Sequence, residues 1–201
     1  AYCSFDQPGG NNLTDNYAPL STNMATLPNG GTWVNDAVMG RSLQLGGGNQ
    51  YVSMPVRLGK RPDISIAGWV NRTGGGSILW SLSLDENVKT YLDIASGGGM
   101  TWYLGGENVT RAVEEYFHST TLPSLPGTAV PNGTWTHVAM TLQDNRAVLY
   151  VNGTPVASTN CVMLNIDELH AANLYLGRSY HATPQYMACT LDDFKIYDHG
   201  F

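Results

Sequence analysis

The sequence predicts an all-β protein, either a sandwich or a barrel. Three observations carry this. Many short apolar runs alternate with polar residues at the period of two that marks half-buried strands. Glycine clusters at 46–48, 74–76, 97–99 and 105–106 punctuate those runs at short intervals. Tight hairpin signals join others, most clearly Asn152 followed by Gly153, since a type I′ turn needs positive φ at both central positions.

Along the chain, strands are expected over 2–6, 42–45, 51–54, 64–71, 78–84, 90–95, 100–104, 135–142, 147–151, 154–157, 173–176 and 190–197. Segment 136–142 puts Val138, Met140 and Leu142 on one face. Gln143, Asp144 and Asn145 form a turn, because Asp and Asn bond their own backbone and tolerate left-handed angles. Residues 165–170 read as a single helical turn. Segment 110–131 is different: 112–118 reads as a strand or a short helix, and 122–127 as extended or looped, because each proline restricts its predecessor. It reads as an insertion, and loops on a rigid sandwich are where recognition often sits; a meander over one sheet face is the other reading. No repeat or linker interrupts the 201 residues, a length β-sandwiches reach as one domain with a sizeable core.

Several blocks carry a family resemblance. Trp135-Thr-His-Val-Ala-Met-Thr141, with Leu149-Tyr-Val-Asn-Gly-Thr-Pro-Val-Ala-Ser158, resembles the "W-x-H-V-A-x-T … L-Y-V-N-G-x-x-V-A-S" core of laminin-G-like, concanavalin A-like lectin and glucanase domains. Thr190-Leu-Asp-Asp-Phe-Lys-Ile-Tyr-Asp198 resembles that family's last strand, "G-x-I-D-D-V-R-I-Y". Arg41-Ser-Leu-Gln-Leu-Gly46 with Gln50-Tyr-Val-Ser-Met-Pro55, Ile64-Ser-Ile-Ala-Gly-Trp-Val70 and Leu174-Tyr-Leu-Gly-Arg-Ser179 are similar to further blocks, in the family's order. The resemblance implies a two-sheet antiparallel β-sandwich, the concanavalin A-like jelly roll, spanning 1–201. Relatives continue a few residues beyond the equivalent of Phe201, so the chain is expected to be a module of a larger extracellular protein.

Composition narrows the partners. Ten basic and 16 acidic residues give a formal charge of −6, and only 13% of residues are charged. Nucleic acid is not expected as a partner, because phosphate contacts need clustered Lys and Arg. The basic cluster Arg57-Leu-Gly-Lys-Arg61 reads as a solvated loop. A Gly-rich, aromatic-bearing, weakly charged surface suits sugars or protein contacts. No apolar run is long enough to cross a bilayer, so membrane insertion is not expected. The start lacks a basic-then-apolar leader, as expected of a mature secreted chain or a module. Sequons at Asn12, Asn108 and Asn132 sit in polar, turn-rich sequence and are the better glycosylation candidates. Asn71 lies at a strand end, and Asn152 is followed by Thr154 and Pro155. The three cysteines are Cys3, Cys161 and Cys189. In an oxidising compartment one pair is expected, preferably Cys161 with Cys189, alternatively Cys3 with Cys189; three buried thiols is the reading for a reduced protein.

For a metal, the resemblance implies one calcium ion near the first and last strands. The motif positions are Asp6 and Asp192, with Asp193 adjacent. The loop 7–16 offers further oxygens from Asn11, Asn12, Asp15 and Asn16 and from its carbonyls. Here the chain has Asp15-Asn-Tyr-Ala-Pro where the family often has "D-x-S-G-x-G". Asp192 and Asp193 point to opposite faces of a regular strand unless a bulge intervenes. The competing reading is that these carboxylates bond turn amides.

For a glycan, aromatic platforms come from Trp33, Trp80, Trp102, Tyr103, Tyr116, Tyr180 and Tyr186. Trp102 and Tyr103 beside glycines, and Tyr180 with His181 and Gln185, are the best clusters; aromatics in a sandwich are also core material. Trp69 and Trp135 match packing positions of the family. Catalysis is not expected. No E-x-D-x-x-E run exists, and the pairs Asp85–Glu86 and Glu114–Glu115 are neighbours that a regular strand would split between faces. No nucleophile elbow is present, and His137 matches a family position that implies a core hydrogen bond. The expected function is a non-catalytic extracellular recognition module, calcium-stabilised, binding glycan or glycoprotein. The alternative is a structural domain of a self-assembling fibre, surface layer or adhesin.

Overall fold

The alternation read from the sequence becomes two stacked antiparallel sheets. The computed structural model describes residues 2–13, 25–55, 63–74, 78–83, 89–94, 98–105, 124–125, 130–160, 173–180, 183–197 and 199, without the side chains of 83, 89–91, 102–105 and 124–125. Every regular element among these is a strand: β1 (Tyr2–Cys3), β2 (Asn12–Leu13), β3 (Ala25–Thr26), β4 (Thr32–Asp36), β5 (Gly40–Gly46), β6 (Val52–Pro55), β7 (Ile64–Arg72), β8 (Ile78–Ser83), β9 (Lys89–Ile94), β10 (Met100–Gly105), β11 (Ser124–Leu125), β12 (Trp135–Gln143), β13 (Arg146–Val151), β14 (Thr154–Asn160), β15 (Asn173–Leu176) and β16 (Ala188–Tyr197).

The first sheet runs β14-β13-β12-β7-β16-β5-β4, with β1 also paired to β16; the second runs β11-β10-β9-β8-β15-β6-β3-β2. This is the expected two-sheet antiparallel β-sandwich. The 165–170 segment and most of 110–131 lie outside the described residues. Strand β4 was not foreseen. Its hairpin to β5 is set by Asp36, whose Oδ1 accepts the N–H groups of Val38 (2.7 Å) and Met39 (3.1 Å), the local side-chain bonding that favours Asp in turns.

Turn chemistry fixes the register of the β12-β13-β14 meander. Asp144 and Asn145 both have positive φ, as do Asn152 and Gly153, so both links are two-residue turns of the type that matches strand twist. Asn152 also accepts the backbone N–H of His137 through Oδ1 at 2.9 Å. The expected face holds: Val138, Met140 and Leu142 are buried.

The core lies between the sheets. Across the second sheet, Val52, Leu176, Trp80 and Leu92 form one register row, and all four are fully buried. Trp80 is therefore core, not platform. Facing it, Leu43, Leu45, Ile66 and Val70 line the first sheet. Two glycines mark tight spots. A Cβ on Gly68 would meet Phe194 Cδ2 at 2.9 Å, and Gly177, at φ +73, lies where a Cβ would meet Leu45 Cδ1 at 2.6 Å.

Candidate functional site

The acidic corner sits where β16 changes partner. On one edge β16 pairs with β5 as far as Leu191 and Leu43, then with β1 from Phe194 and Cys3. Between these, the ladder to β7 shifts register from Asp192 to Lys195, and Asp193 takes φ 49. This is the bulge that lets two neighbouring carboxylates escape strict alternation. Asp192 is buried, at 4% exposure. Its Oδ2 accepts Ser42 Oγ at 3.0 Å, and its Oδ1 accepts the Asp193 N–H at 2.8 Å. Asp193 accepts the Tyr2 hydroxyl and lies 3.5 Å from Lys195 Nζ. Burial pushes the Asp192 carboxyl up to about 6; the bonds from Ser42 and Asp193 oppose this, and the charges of Asp193 and Asp6 add to it. Burial, then the Asp193 bond and the nearby carboxylates, also raises the Tyr2 hydroxyl well above its ordinary value. Asp6, itself exposed, thus shares one electrostatic neighbourhood with Asp192 and Asp193.

The adjoining loop is already fastened by the protein. Arg41 donates to the carbonyls of Gln7 through Nε (2.7 Å) and Pro8 through Nη2 (2.5 Å). Gln7 Nε2 donates to the carbonyls of Gly9 and Asn12, both at 2.9 Å. Trp33 Nε1 donates to Gly10 at 3.2 Å, and the Leu27 N–H to Asn11 at 2.8 Å. Six consecutive carbonyls therefore each hold a protein donor, and two of them face a guanidinium. The side chains of Asn11 and Asn12 are exposed, and Asp15 lies outside the described residues. Among the described residues no three His, Cys, Asp or Glu side chains group to hold a metal ion. The corner supplies carboxylate charge, and each carbonyl of residues 7–12 already accepts one protein donor, with a second lone pair remaining.

A second cluster lies on the second sheet. Tyr175 stands between buried Leu174 and Leu176 and is half-buried, so alternation turns it to the outer face. Its ring stacks on Tyr180 (6.0 Å, 24°) and meets Tyr51 edge-on (5.6 Å, 78°). Tyr51 in turn approaches Tyr186 at 6.1 Å. The Arg178 guanidinium carbon lies 4.8 Å from the Tyr51 centroid and 4.6 Å from that of Tyr175. The hairpin carrying Arg178, Tyr180 and Tyr186 is pinned: Ser179 N–H to the Gln185 carbonyl at 2.8 Å, Gln185 N–H to Ser179 Oγ at 2.8 Å, and Met187 N–H to the Gly177 carbonyl at 2.9 Å. Ser81 Oγ anchors the Arg178 carbonyl to the sheet at 2.8 Å.

Of the expected glycan residues, Tyr180 and Gln185 belong to this hairpin, and His181 lies outside the described residues. Tyr103 and Trp102 lie on β10, and their side chains are outside the description. Tyr103 is in register with Tyr91, Ser81, Tyr175 and Ser53; Trp102 is in register with the buried row of Leu92 and Trp80. Tyr51, Tyr175 and Arg178 were missed as site residues. Period-two alternation in Leu174-Tyr-Leu176 is the sequence signal that turns Tyr175 outward.

Two further expectations need correction. Cys189 is a buried free thiol, so neither the preferred bridge to Cys161 nor the alternative to Cys3 is formed. Cys189 faces the core within β16, where burial pushes its thiol up to about 12; Cys161 lies outside the described residues. His137 does not bury its ring in a core hydrogen bond. The ring is half-buried and packs edge-on against Trp69 at 5.2 Å, while its backbone makes the bonds to Asn152. The sequon residues Asn12 and Asn132 are exposed, and Asn108 lies outside the described residues.

The chain is similar in fold to several solved structures. Domain 4 of AbnA, a GH43 extracellular arabinanase from Geobacillus stearothermophilus, in complex with arabinotriose, matches with TM-score 0.71 and 18% identity, over 100% of this chain and 92% of that one. Trypanosoma rangeli sialidase in complex with sialic acid matches with TM-score 0.71 and 16% identity, over 100% of this chain but 30% of that one. A heptameric SAP-like pentraxin from Limulus polyphemus matches with TM-score 0.50 and 15% identity, over 75% and 70%. No curated protein matches in sequence. The model of the concanavalin A-like lectin/glucanases superfamily matches residues 46–200. With that match over well more than half its length, on a two-sheet antiparallel sandwich, the chain belongs to the concanavalin A-like lectin/glucanases superfamily and carries its laminin-G-like jelly roll.

Proposed function

We propose that this chain is a non-catalytic carbohydrate-recognition domain of an extracellular protein, and that it binds sugar through the tyrosine face of the second sheet. The observation carrying this reading is the cluster of Tyr51, Tyr175, Tyr180 and Tyr186 around Arg178, half-buried on an outer sheet face. Sugar rings present C–H faces that pack on aromatic rings, and tyrosine hydroxyls at the rim supply polar contacts. The similar fold of an arabinanase domain solved with arabinotriose supports the same substrate class. The sequon at the exposed Asn132 suits the extracellular setting.

Calcium stabilisation, which the resemblance implies, would rest on Asp6, Asp192 and Asp193 and add countercharge there. It would not reach the sugar. The acidic corner belongs to β16, β5 and β1 of the first sheet, and the tyrosine cluster to β15 and its hairpin on the second.

The test is a glycan array probed with the purified domain in calcium and in chelator, alongside Tyr175→Ala. Binding in both buffers, lost in Tyr175→Ala with the melting temperature kept, is expected. Binding that vanishes in chelator would move the site to the acidic corner. A folded domain that binds nothing would sink the recognition reading and favour the structural-subunit one.

A further inference from the structure

We infer that Arg178 is the anion-reading element of the tyrosine face, so that the sugar it prefers carries a carboxylate. This rests on the recognition reading above and narrows it to a ligand class.

The guanidinium is held in place before any ligand arrives. Two tyrosine rings flank it at 4.6 and 4.8 Å. Its backbone is fixed twice, through the bridge to Tyr186 and the Ser81 bond to its carbonyl. An arginine ordered in this way has already lost most of its rotamer freedom, so a carboxylate meets a preset fork of donors.

Its charge is also unspent. Arg41 is committed to the loop carbonyls, Lys195 to Asp193, and Arg72 Nη1 to the Val130 carbonyl. Arg178, by contrast, makes no side-chain hydrogen bond or ion pair among the described residues, and its Nε is buried without a partner. Cation–π contact alone does not satisfy N–H donors. A planar carboxylate approaching the outer edge of the guanidinium would accept the remaining N–H groups, with the sugar ring against Tyr175 and Tyr180. The chain carries a net charge of −6 and so attracts anions poorly as a whole. A preference for an acidic sugar on this face would therefore come from Arg178, the cation that the described residues place there.

The experiment uses acidic oligosaccharides presented as pairs, each uronate-containing chain beside its methyl ester, which removes the charge and keeps the ring. The pairs are arrayed, and the tightest is measured by titration calorimetry on the wild type, Arg178→Gln and Arg178→Lys. The expected result is at least tenfold tighter binding of the acid than of its ester. Arg178→Gln should bring the acid down to the ester's level while leaving the ester unchanged, and Arg178→Lys should fall between. Equal binding of acid and ester by the wild type overturns the inference and leaves the recognition reading standing. Binding of neither, with neutral glycans also unbound and the domain folded, overturns both. Because the ester changes the ligand alone, the comparison holds even if an Arg178 variant packs poorly.

Discussion

Replacing Arg41 by methionine should loosen the N-terminal loop without touching the core. The guanidinium bonds the carbonyls of Gln7 and Pro8 at 2.7 and 2.5 Å. Hydrogen bonds from a charged donor contribute about 1.5–3 kcal/mol each. Arg41 is half-exposed, so the low end applies and the pair is worth about 3 kcal/mol. Methionine keeps part of the stem's packing, and the carbonyls regain water, which leaves a net loss of about 2 kcal/mol. For a chain of this size that corresponds to a fall in Tm of about 4–8 °C. Urea denaturation followed by tryptophan fluorescence would measure the energy. Hydrogen exchange read by mass spectrometry would show faster exchange confined to residues 7–12. A loss under about 0.5 kcal/mol, with exchange unchanged, would refute the account of Arg41 as the loop's fastener. A comparable loss in wild-type protein on adding chelator would show that a cation shares the task.

Three smaller tests follow from the same contacts. Gly68→Ala should cost about 1–3 kcal/mol in denaturant titration, because its Cβ would meet Phe194 Cδ2 at 2.9 Å on a crowded strand face; a neutral result would mean that Phe194 yields freely. Cys189 should resist iodoacetamide at pH 8 in the native protein and label only in denaturant, since burial raises its thiol to about 12 and only the thiolate reacts; peptide mapping reads this directly. His137 titrates below its ordinary value, first because it is partly desolvated and then because Lys195 lies near. The unfolded chain then binds the proton more readily, so this part of the stability is present above pH about 6.5 and is lost as pH falls through the folded value. His137→Gln should flatten that limb of the stability profile, and an unchanged slope would contradict it.

The fold was legible because its signals are local and redundant. Asn152 and Gly153 specify a turn by φ alone, and Val138, Met140 and Leu142 specify a face by spacing alone. The site was less legible because it is assembled from distant segments. Tyr51 precedes β6, Tyr175 lies on β15, and Arg178 follows it, yet the two rings and the guanidinium lie within 5.6 Å of one another. Nothing in the sequence spacing of 51 and 175 announces that contact; only the pairing of β6 with β15 creates it. The disulfide expectation failed for a related reason. Counting cysteines says which thiols exist, but β16 turns Cys189 into the core, where it packs as a small apolar group.

The paired aspartates show how a motif can serve the fold independently of a ligand. Where β16 hands its edge from β5 to β1, one stretch of strand has no regular partner, and the backbone there must bend. Asp193 meets that demand at φ 49, in the left-handed region that Asp tolerates better than most side chains. Asp192 meets it by accepting the freed Asp193 N–H and Ser42 Oγ. Each aspartate thus serves the strand exchange itself, independently of any metal. The carbonyls of the neighbouring loop are likewise engaged without a cation, each keeping a second lone pair. In this chain Arg41, Gln7 and Trp33 claim five of the six, and the Leu27 N–H claims the last.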